Sequence, residues 1–219
     1  RRRLLLRLQE REPGLELGLD RGPGLGPGLG PSPGAWRGPG PGLNPARILT
    51  GAYRDQLERY TVISATDGNH GRALAAAAQS TGCGCVILIH EHVSVEREQA
   101  IAAYGADVRR IAGTYDDSVR EAARLAEAHG WHVVSDTSYE GYTEVPRDVM
   151  QGYSIIATEA IEQRSAAAPF THVLLQGGVG GFAAGVASAL WEHYGAQRPH
   201  LIVVEPEQAD CLFQSAVRG

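Results

Sequence analysis

The sequence predicts an α/β fold, an open parallel sheet with helices on both faces. From about residue 60 onward, short uninterrupted apolar runs alternate with longer amphipathic or alanine-rich runs. The apolar runs show no polar alternation, which is typical of strands buried on both sides. Gly, Asp and Asn residues lie at the junctions between runs. Strands and helices that alternate through such short turns favour a parallel sheet.

The predicted elements follow one another along the chain. Strands are predicted over residues 60–64, 85–90, 107–111, 131–135, 171–176 and 201–205, and helices over residues 69–80, 94–104, 116–129, 146–163 and 181–194. Ser94 is the predicted cap of the second helix, because serine accepts backbone N–H groups at helix starts. Pro146 falls in the first turn of the fourth helix, where its missing N–H is tolerated. The face that the third helix is predicted to bury holds Val119, Ala122, Ala123 and Ala126.

The first 45 residues are a different kind of sequence. They hold 11 of the 28 Gly and 8 of the 12 Pro, in a Gly-Pro-Gly-Leu pattern without the collagen period. Such a segment cannot bury enough apolar surface to offset the entropy lost on ordering. Residues 1–45 are therefore predicted to be a disordered leader, and residues 46–219 the folded part. A wrong reading frame or start site is an alternative origin of the leader.

The composition argues against several classes of function. The net charge is -5 and the arginines are scattered, so no nucleic-acid partner is predicted. No apolar run approaches the roughly 20 residues that a membrane span requires. Cys83, Cys85 and Cys211 are too few and too poorly spaced for a disulfide framework or a four-ligand zinc site. No metal is predicted, and the cysteines favour a reducing, cytoplasmic setting.

The first candidate site lies where the first strand ends, in Ser64-Ala65-Thr66-Asp67-Gly68-Asn69-His70-Gly71. Asp67 and Gly68 form the predicted turn and Asn69 opens the helix, so N–H groups and an amide side chain face any ligand there. An ordinary N-cap turn is an equally good interpretation, because these residue types are common at helix starts. His70 is predicted to pack on the helix or face solvent rather than to act as a ligand or base.

The second candidate site follows the strand at 171–176. It consists of Gly177, Gly178, Val179, Gly180 and Gly181. The N–H groups of such a loop can converge on a phosphate, and the dipole of the following helix favours the anion. Gly178, Gly180 and Ala183 also nearly fit a dinucleotide-binding fingerprint, with Glu205 as its ribose-binding acid. That fingerprint usually belongs to the first strand–helix unit of a fold, and here other units precede it. A tight turn that only permits close packing is a further alternative.

Three stretches carry a resemblance to a known family. They are Thr66-Asp67-Gly68-Asn69-His70-Gly71-Arg72, Asp136-Thr137-Ser138-Tyr139-Glu140-Gly141-Tyr142 with Met150-Gln151-Gly152-Tyr153, and Gln176-Gly177-Gly178-Val179-Gly180-Gly181-Phe182. Together they resemble the fold type II pyridoxal-phosphate enzymes, the group that includes tryptophan synthase β-subunits, threonine dehydratases and cysteine synthases. The middle stretch is the most discriminating, and it makes the chain most similar to the diaminopropionate ammonia-lyases. The resemblance covers about residues 44–217.

The resemblance implies a cofactor, a substrate class and a role for each residue. Asn69 would hydrogen-bond the ring hydroxyl of pyridoxal 5'-phosphate, and the loop from Gly177 to Gly181 would hold its phosphate. Asp67 and Asp136 would be the acid–base pair at the α-carbon of an amino-acid substrate, converting 2,3-diaminopropionate to pyruvate and ammonia by α,β-elimination. The fold would be tryptophan synthase β-like, with a small-domain-like part at about 66–150, the start of the large domain at about 151–219, and a homodimer if the full-length arrangement holds.

The chain departs from the family pattern at a central point. Such enzymes hold the cofactor as an imine with a lysine amine. This chain contains 20 arginines and no lysine. Arg47 stands at the lysine position, and its guanidinium stays protonated and is a poor nucleophile. The stretch from Tyr53 to Tyr60 also looks shortened, and the chain stops soon after Glu205. The sequence therefore predicts an incomplete, inactive scaffold. A dinucleotide-binding protein, or a pseudoenzyme that binds an amino acid or a partner, remains as an alternative.

Overall fold

We analysed a computed structural model, which describes residues 45–48, 50–164 and 169–218. The leader predicted over residues 1–45 lies almost wholly outside the described residues. The helices are α1 Pro45–Ile48, α2 Arg54–Leu57, α3 Asn69–Thr81, α4 Val95–Ala102, α5 Tyr115–His129, α6 Glu144–Gln163, α7 Gly181–Tyr194 and α8 Cys211–Arg218. The strands are β1 Thr61–Ala65, β2 Gly84–His90, β3 Asp107–Ile111, β4 His132–Val133, β5 His172–Gln176 and β6 His200–Val204. The predicted α/β alternation is confirmed.

Within the described residues, β1 to β4 form one parallel sheet in the order β3-β2-β1-β4. Ile63 and Ile87, at the centre of this sheet, are fully buried. One core cluster packs Ile63 and Leu88 against α5, and a second packs Ile87 and Ile101 between β2 and α4. Helices thus cover both faces, and the carboxyl ends of β1, β2 and β4 lie along one edge, where ligands bind in such folds.

The strands β5 and β6 pair in parallel as a second sheet. A core of Ala157, Leu175, Ala183, Val186 and Leu190 joins this sheet to α6 and α7. The two helices approach closely because Gly185 lacks a side chain: a Cβ there would collide with the Met150 carbonyl. This contact fixes where α7 begins relative to α6.

Two sequence predictions differ from the structure in detail. The strand predicted over 131–135 is reduced to His132–Val133, although the Val134 N–H still bonds the Ile63 carbonyl of β1. The Tyr142 hydroxyl bonds the Val133 carbonyl and the Ser135 N–H, which point to the opposite edge. In α5, Val119 is 38% exposed rather than buried. The buried face of α5 is instead Ser118, Ala122, Leu125 and Ala126. It is rotated toward Ser118, whose hydroxyl is satisfied by the Thr114 carbonyl.

Across the described ranges, we find no helix with the length and apolar character needed to cross a bilayer.

Candidate active site

The loop between β1 and α3 is shaped by Thr66. Its buried hydroxyl accepts hydrogen bonds from the N–H groups of Gly68 (3.1 Å) and Gly71 (3.2 Å). Gly68 has a φ of 152°, which only glycine adopts readily. Helix α3 begins at Asn69 as predicted, but Thr66 occupies two N–H groups that the sequence had assigned to a ligand. A threonine just ahead of a helix start is itself a capping signal, and our sequence interpretation missed it.

Asp67 is held on two sides. Its side chain is 60% exposed, and its Oδ1 lies 3.2 Å from Nε2 of His90, at the end of the neighbouring strand β2. Its backbone oxygen accepts a hydrogen bond of 3.2 Å from the Arg97 guanidinium. His90 could not be recognised from sequence as a neighbour of Asp67, because the contact depends on the pairing of β1 with β2.

The segment that leads to Asp136 is fixed by two side chains. His70 Nε2 lies 2.8 Å from the Val134 carbonyl oxygen, so His70 is a packing residue as predicted, with a specific backbone partner. The Tyr142 hydroxyl accepts from Ser135 N–H at 2.9 Å and donates to the Val133 oxygen at 3.0 Å. Burial raises the pKa of Tyr142 to about 12, so the hydroxyl stays protonated and able to donate.

The carboxylates of Asp67 and Asp136 both act electrostatically on the Tyr115 hydroxyl. Burial raises the pKa of Tyr115, and the carboxylates of Asp136 and Asp67 raise it further, against the opposite effect of a hydrogen bond from Thr137. Asp136 also raises the pKa of Tyr153, where burial is again the larger cause. The loops that carry Asp67 and Asp136 follow different strands, and the bond from His70 to the Val134 carbonyl joins the start of α3 to the segment that leads to Asp136.

The glycine-rich loop reaches the same region. Gly180 has a φ of 88°, and α7 begins at Gly181, as predicted. A Cβ on Gly181 would lie 3.3 Å from the Met150 side chain and 3.7 Å from the Asp136 carbonyl oxygen. The absence of side chains thus lets the start of α7 approach the loop that carries Asp136. Helix N-termini with such loops favour anions, and Val179 at the loop tip is half exposed.

Glu205 has a structural task that bears on the dinucleotide alternative. Its carboxylate accepts hydrogen bonds from the N–H groups of Leu212 (3.0 Å) and Phe213 (2.8 Å), at the start of α8. Its side chain also fills the space beside Gly177, where a Cβ would collide with it. The acid that the fingerprint assigns to a ribose is therefore engaged as a helix cap.

Arg47 contacts residues that are close to it along the chain. Its guanidinium lies 5.7 Å from the centre of the Tyr53 ring, and its carbonyl accepts hydrogen bonds from Thr50 and Ala52. Among the described residues, the hydrogen bonds and the ring contact of Arg47 do not involve Asp67, Asp136 or the glycine-rich loop. The shortened stretch after Tyr53 holds one four-residue helix, α2.

Comparison with known proteins identifies the family. The profile of the family described as "Pyridoxal-phosphate dependent enzyme" matches residues 44–219. The diaminopropionate ammonia-lyase of Escherichia coli (strain K12) is 47% identical over 163 residues, which are 74% of this chain and 41% of the relative.

Solved structures agree with this assignment. The holo diaminopropionate ammonia lyase of Escherichia coli has a TM-score of 0.72 and 42% identity, and the match covers 80% of this chain and 48% of that one. The same enzyme "in complex with aminoacrylate-PLP azomethine reaction intermediate" has a TM-score of 0.71 and 43% identity, covering 78% of this chain and 49% of that one. This chain spans less than half the length of these relatives. The chain belongs to the pyridoxal-phosphate dependent enzymes of fold type II, whose cofactor is pyridoxal 5'-phosphate.

Proposed function

We propose that this chain carries the phosphate-binding loop and the acid–base pair of a lyase that converts 2,3-diaminopropionate to pyruvate and ammonia. One observation supports this above the others: the segment that leads to Asp136 contacts both α3, through His70 and the Val134 carbonyl, and the start of α7, through Gly181 and the Asp136 carbonyl. Relatives with 41% to 47% identity are named diaminopropionate ammonia-lyase, which supports the substrate.

The residues present fit the cofactor's phosphate. The loop offers the N–H groups of Gly178, Val179, Gly180 and Gly181, whereas the Gly177 N–H donates to the Val204 carbonyl oxygen at 2.8 Å. The left-handed backbone at Gly180 and the start of α7 at Gly181 suit an anion. The carboxamide of Asn69, exposed at the start of α3, would bind the ring hydroxyl.

We assign to Asp67 and Asp136 the removal of a proton from the α-carbon and the return of one. When bound, pyridoxal phosphate supplies an electron sink that stabilises negative charge at that carbon. A carboxylate on each side of a planar cofactor-bound substrate can act on either face of its α-carbon. The pair therefore suits amino acids of either configuration at that carbon. Tyr142 and His70 position Asp136 through the backbone of residues 133–135.

The same residues do not fit covalent attachment of the cofactor. The 219 residues contain no lysine, and the Arg47 guanidinium lies against Tyr53. We therefore propose that the chain as given catalyses no elimination and holds its ligand non-covalently. The domain division at about residue 150, a homodimer of the full-length arrangement and a cytoplasmic location belong to the same proposal. The free thiols of Cys83, Cys85 and Cys211 suit a reducing compartment.

Exchange of the α-hydrogen tests this proposal. Pyridoxal phosphate labilises the α-hydrogen of amino acids without an enzyme, so the measured quantity is the rate above that background, by NMR in D₂O. We expect the chain to accelerate exchange of 2,3-diaminopropionate, with no pyruvate formed, and Asp136→Asn to abolish the acceleration. Binding of amino acid and cofactor without accelerated exchange would identify a non-catalytic binder. Tight binding of a nicotinamide dinucleotide would favour the dinucleotide alternative.

A further inference from the structure

We propose that His90 is a positioning residue for Asp67, so that the two side chains work as a pair in the candidate site. This inference rests on the proposed role of Asp67 in proton transfer. Its structural basis is the contact between His90 Nε2 and Asp67 Oδ1, at 3.2 Å. The contact follows from the parallel pairing of β1 with β2, in which Ala65 lies opposite Leu88, so that Asp67 and His90 each come two residues after this pair.

The hydrogen bonds of the imidazole define its tautomer. The backbone N–H of His92 donates to His90 Nδ1 at 3.2 Å, so Nδ1 acts as an acceptor and carries no hydrogen. In the neutral ring the hydrogen then lies on Nε2, which faces the Asp67 carboxylate. The fold of the turn that follows β2 thus places Nε2 3.2 Å from Asp67 Oδ1, at ion-pair distance.

That turn is rigidly anchored. The Arg110 guanidinium donates to the carbonyl oxygens of His90 (3.4 Å), Glu91 (2.8 Å) and Val93 (2.7 Å), and it also pairs with Glu98. The Glu91 carboxylate accepts from the Gly113 N–H at 2.9 Å. These bonds tie the turn to the end of β3. The imidazole therefore has little freedom to move away from Asp67.

Asp67 needs such a partner because its side chain is mostly in solvent. It is 60% exposed, whereas the His90 side chain is 19% exposed. Arg97 binds only the backbone oxygen of Asp67 and leaves the carboxylate free to rotate. His90 restricts the carboxylate to one orientation, and a fixed orientation is what proton transfer to a defined carbon requires.

Histidine-labelled NMR tests the pair without any need for activity. We expect His90 to show a protonated Nε2 and an unprotonated Nδ1, and the Nε2 proton signal to disappear by solvent exchange in Asp67→Ala. The side-chain carboxyl carbon of Asp67 should shift in His90→Leu and return in His90→Gln, whose amide nitrogen can take the place of Nε2. The matched control is His92→Ala, which keeps the backbone N–H and should leave the Asp67 signal unchanged.

The exchange assay then links the pair to the proposed function. We expect His90→Leu to lose most of the accelerated α-hydrogen exchange while its phosphate affinity stays unchanged, and His90→Gln to recover it. An Asp67 carboxyl signal that is the same in the parent chain and His90→Leu would overturn the inference, and so would full exchange activity in His90→Leu. If the parent chain accelerates no exchange, the proposed function fails, and the carboxyl signal alone decides whether His90 holds Asp67.

Discussion

At the scale of single residues, the site depends on side chains that hydrogen-bond backbone groups. Thr66 closes the loop before α3, and Tyr142 fixes the segment before Asp136. Asp67, Asn69 and Asp136 could be proposed from sequence, because they stand in the stretches that carry the resemblance. His90 and Tyr142 could not, because their partners are brought to them by strand pairing and by a loop.

Removal of the Tyr142 hydroxyl should destabilise the fold. Tyr142→Phe leaves the Ser135 N–H and the Val133 carbonyl without their partner, and a buried polar group without a partner costs about 1–3 kcal/mol. We expect the free energy of unfolding in urea to fall by about that amount. Tyr139→Phe is the matched control, because Tyr139 stacks on Tyr142 and is 47% exposed. Equal losses for the two variants would contradict the hydrogen-bonding role.

At the scale of elements, the glycine-rich loop should bind phosphate weakly. Converging N–H groups and the dipole of α7 do not require lysine. We expect millimolar binding of inorganic phosphate, which corresponds to about 4 kcal/mol, measured by NMR titration. Gly180→Ala should abolish it, because Gly180 has a φ of 88° and a Cβ there would lie 3.0 Å from Leu212.

Gly105→Ala is the control for backbone strain. Gly105 has a φ of 81°, and no atom lies within 4 Å of the position of its Cβ. A left-handed alanine costs about 1–2 kcal/mol at either position, so both variants should lose stability. Only Gly180→Ala should lose phosphate binding, and the same loss in Gly105→Ala would show that the effect is general.

The helices and strands also show which features of the fold the sequence predicts and which it does not. Helix and strand types were predictable because apolar runs and glycine turns reflect local chemistry, and α3 and α7 begin at Asn69 and Gly181 as expected. The lengths of elements depend on partners distant in sequence. The strand at 131–135 was overestimated, because its length depends on pairing with β1, which includes only His132 and Val133. The buried face of α5 was misplaced because a face made mostly of alanines is poorly defined.

At the scale of the whole molecule, large apolar side chains remain exposed on the second sheet and on α8. Leu174 is 67% exposed, Val204 50%, Phe213 60% and Val217 67%. Apolar surface of this kind favours association. We expect the apparent mass in light scattering to rise with protein concentration, and Leu174→Glu to reduce the rise. Val95→Glu is the control, since Val95 is 58% exposed on α4 in the first sheet's layer. An equal effect of both variants would argue against the second sheet as the site of contact.

The absence of lysine should determine how the cofactor is held. After incubation with pyridoxal phosphate and reduction with borohydride, we expect the parent chain to be labelled only at its terminal amine, because it has no side-chain amine. On our proposal that position 47 corresponds to the position of the reactive lysine, Arg47→Lys should be labelled there. Mass spectrometry of peptides measures both. An internal label in the parent chain would contradict the prediction.

A new amine could also react merely because it is accessible, so the control is another exposed arginine. Arg54 lies seven positions further on, in α2, and its guanidinium bonds the Gln79 carbonyl. If the folded chain binds the cofactor near position 47, Arg47→Lys should be labelled at a lower cofactor concentration than Arg54→Lys. Inorganic phosphate should suppress only the label at position 47, because it competes with the cofactor for the loop from Gly177 to Gly181. Equal labelling, insensitive to phosphate, would mean that position 47 does not belong to the cofactor site. Pyruvate should stay at background in both variants, because attachment of the cofactor restores neither exclusion of water nor positioning of the substrate.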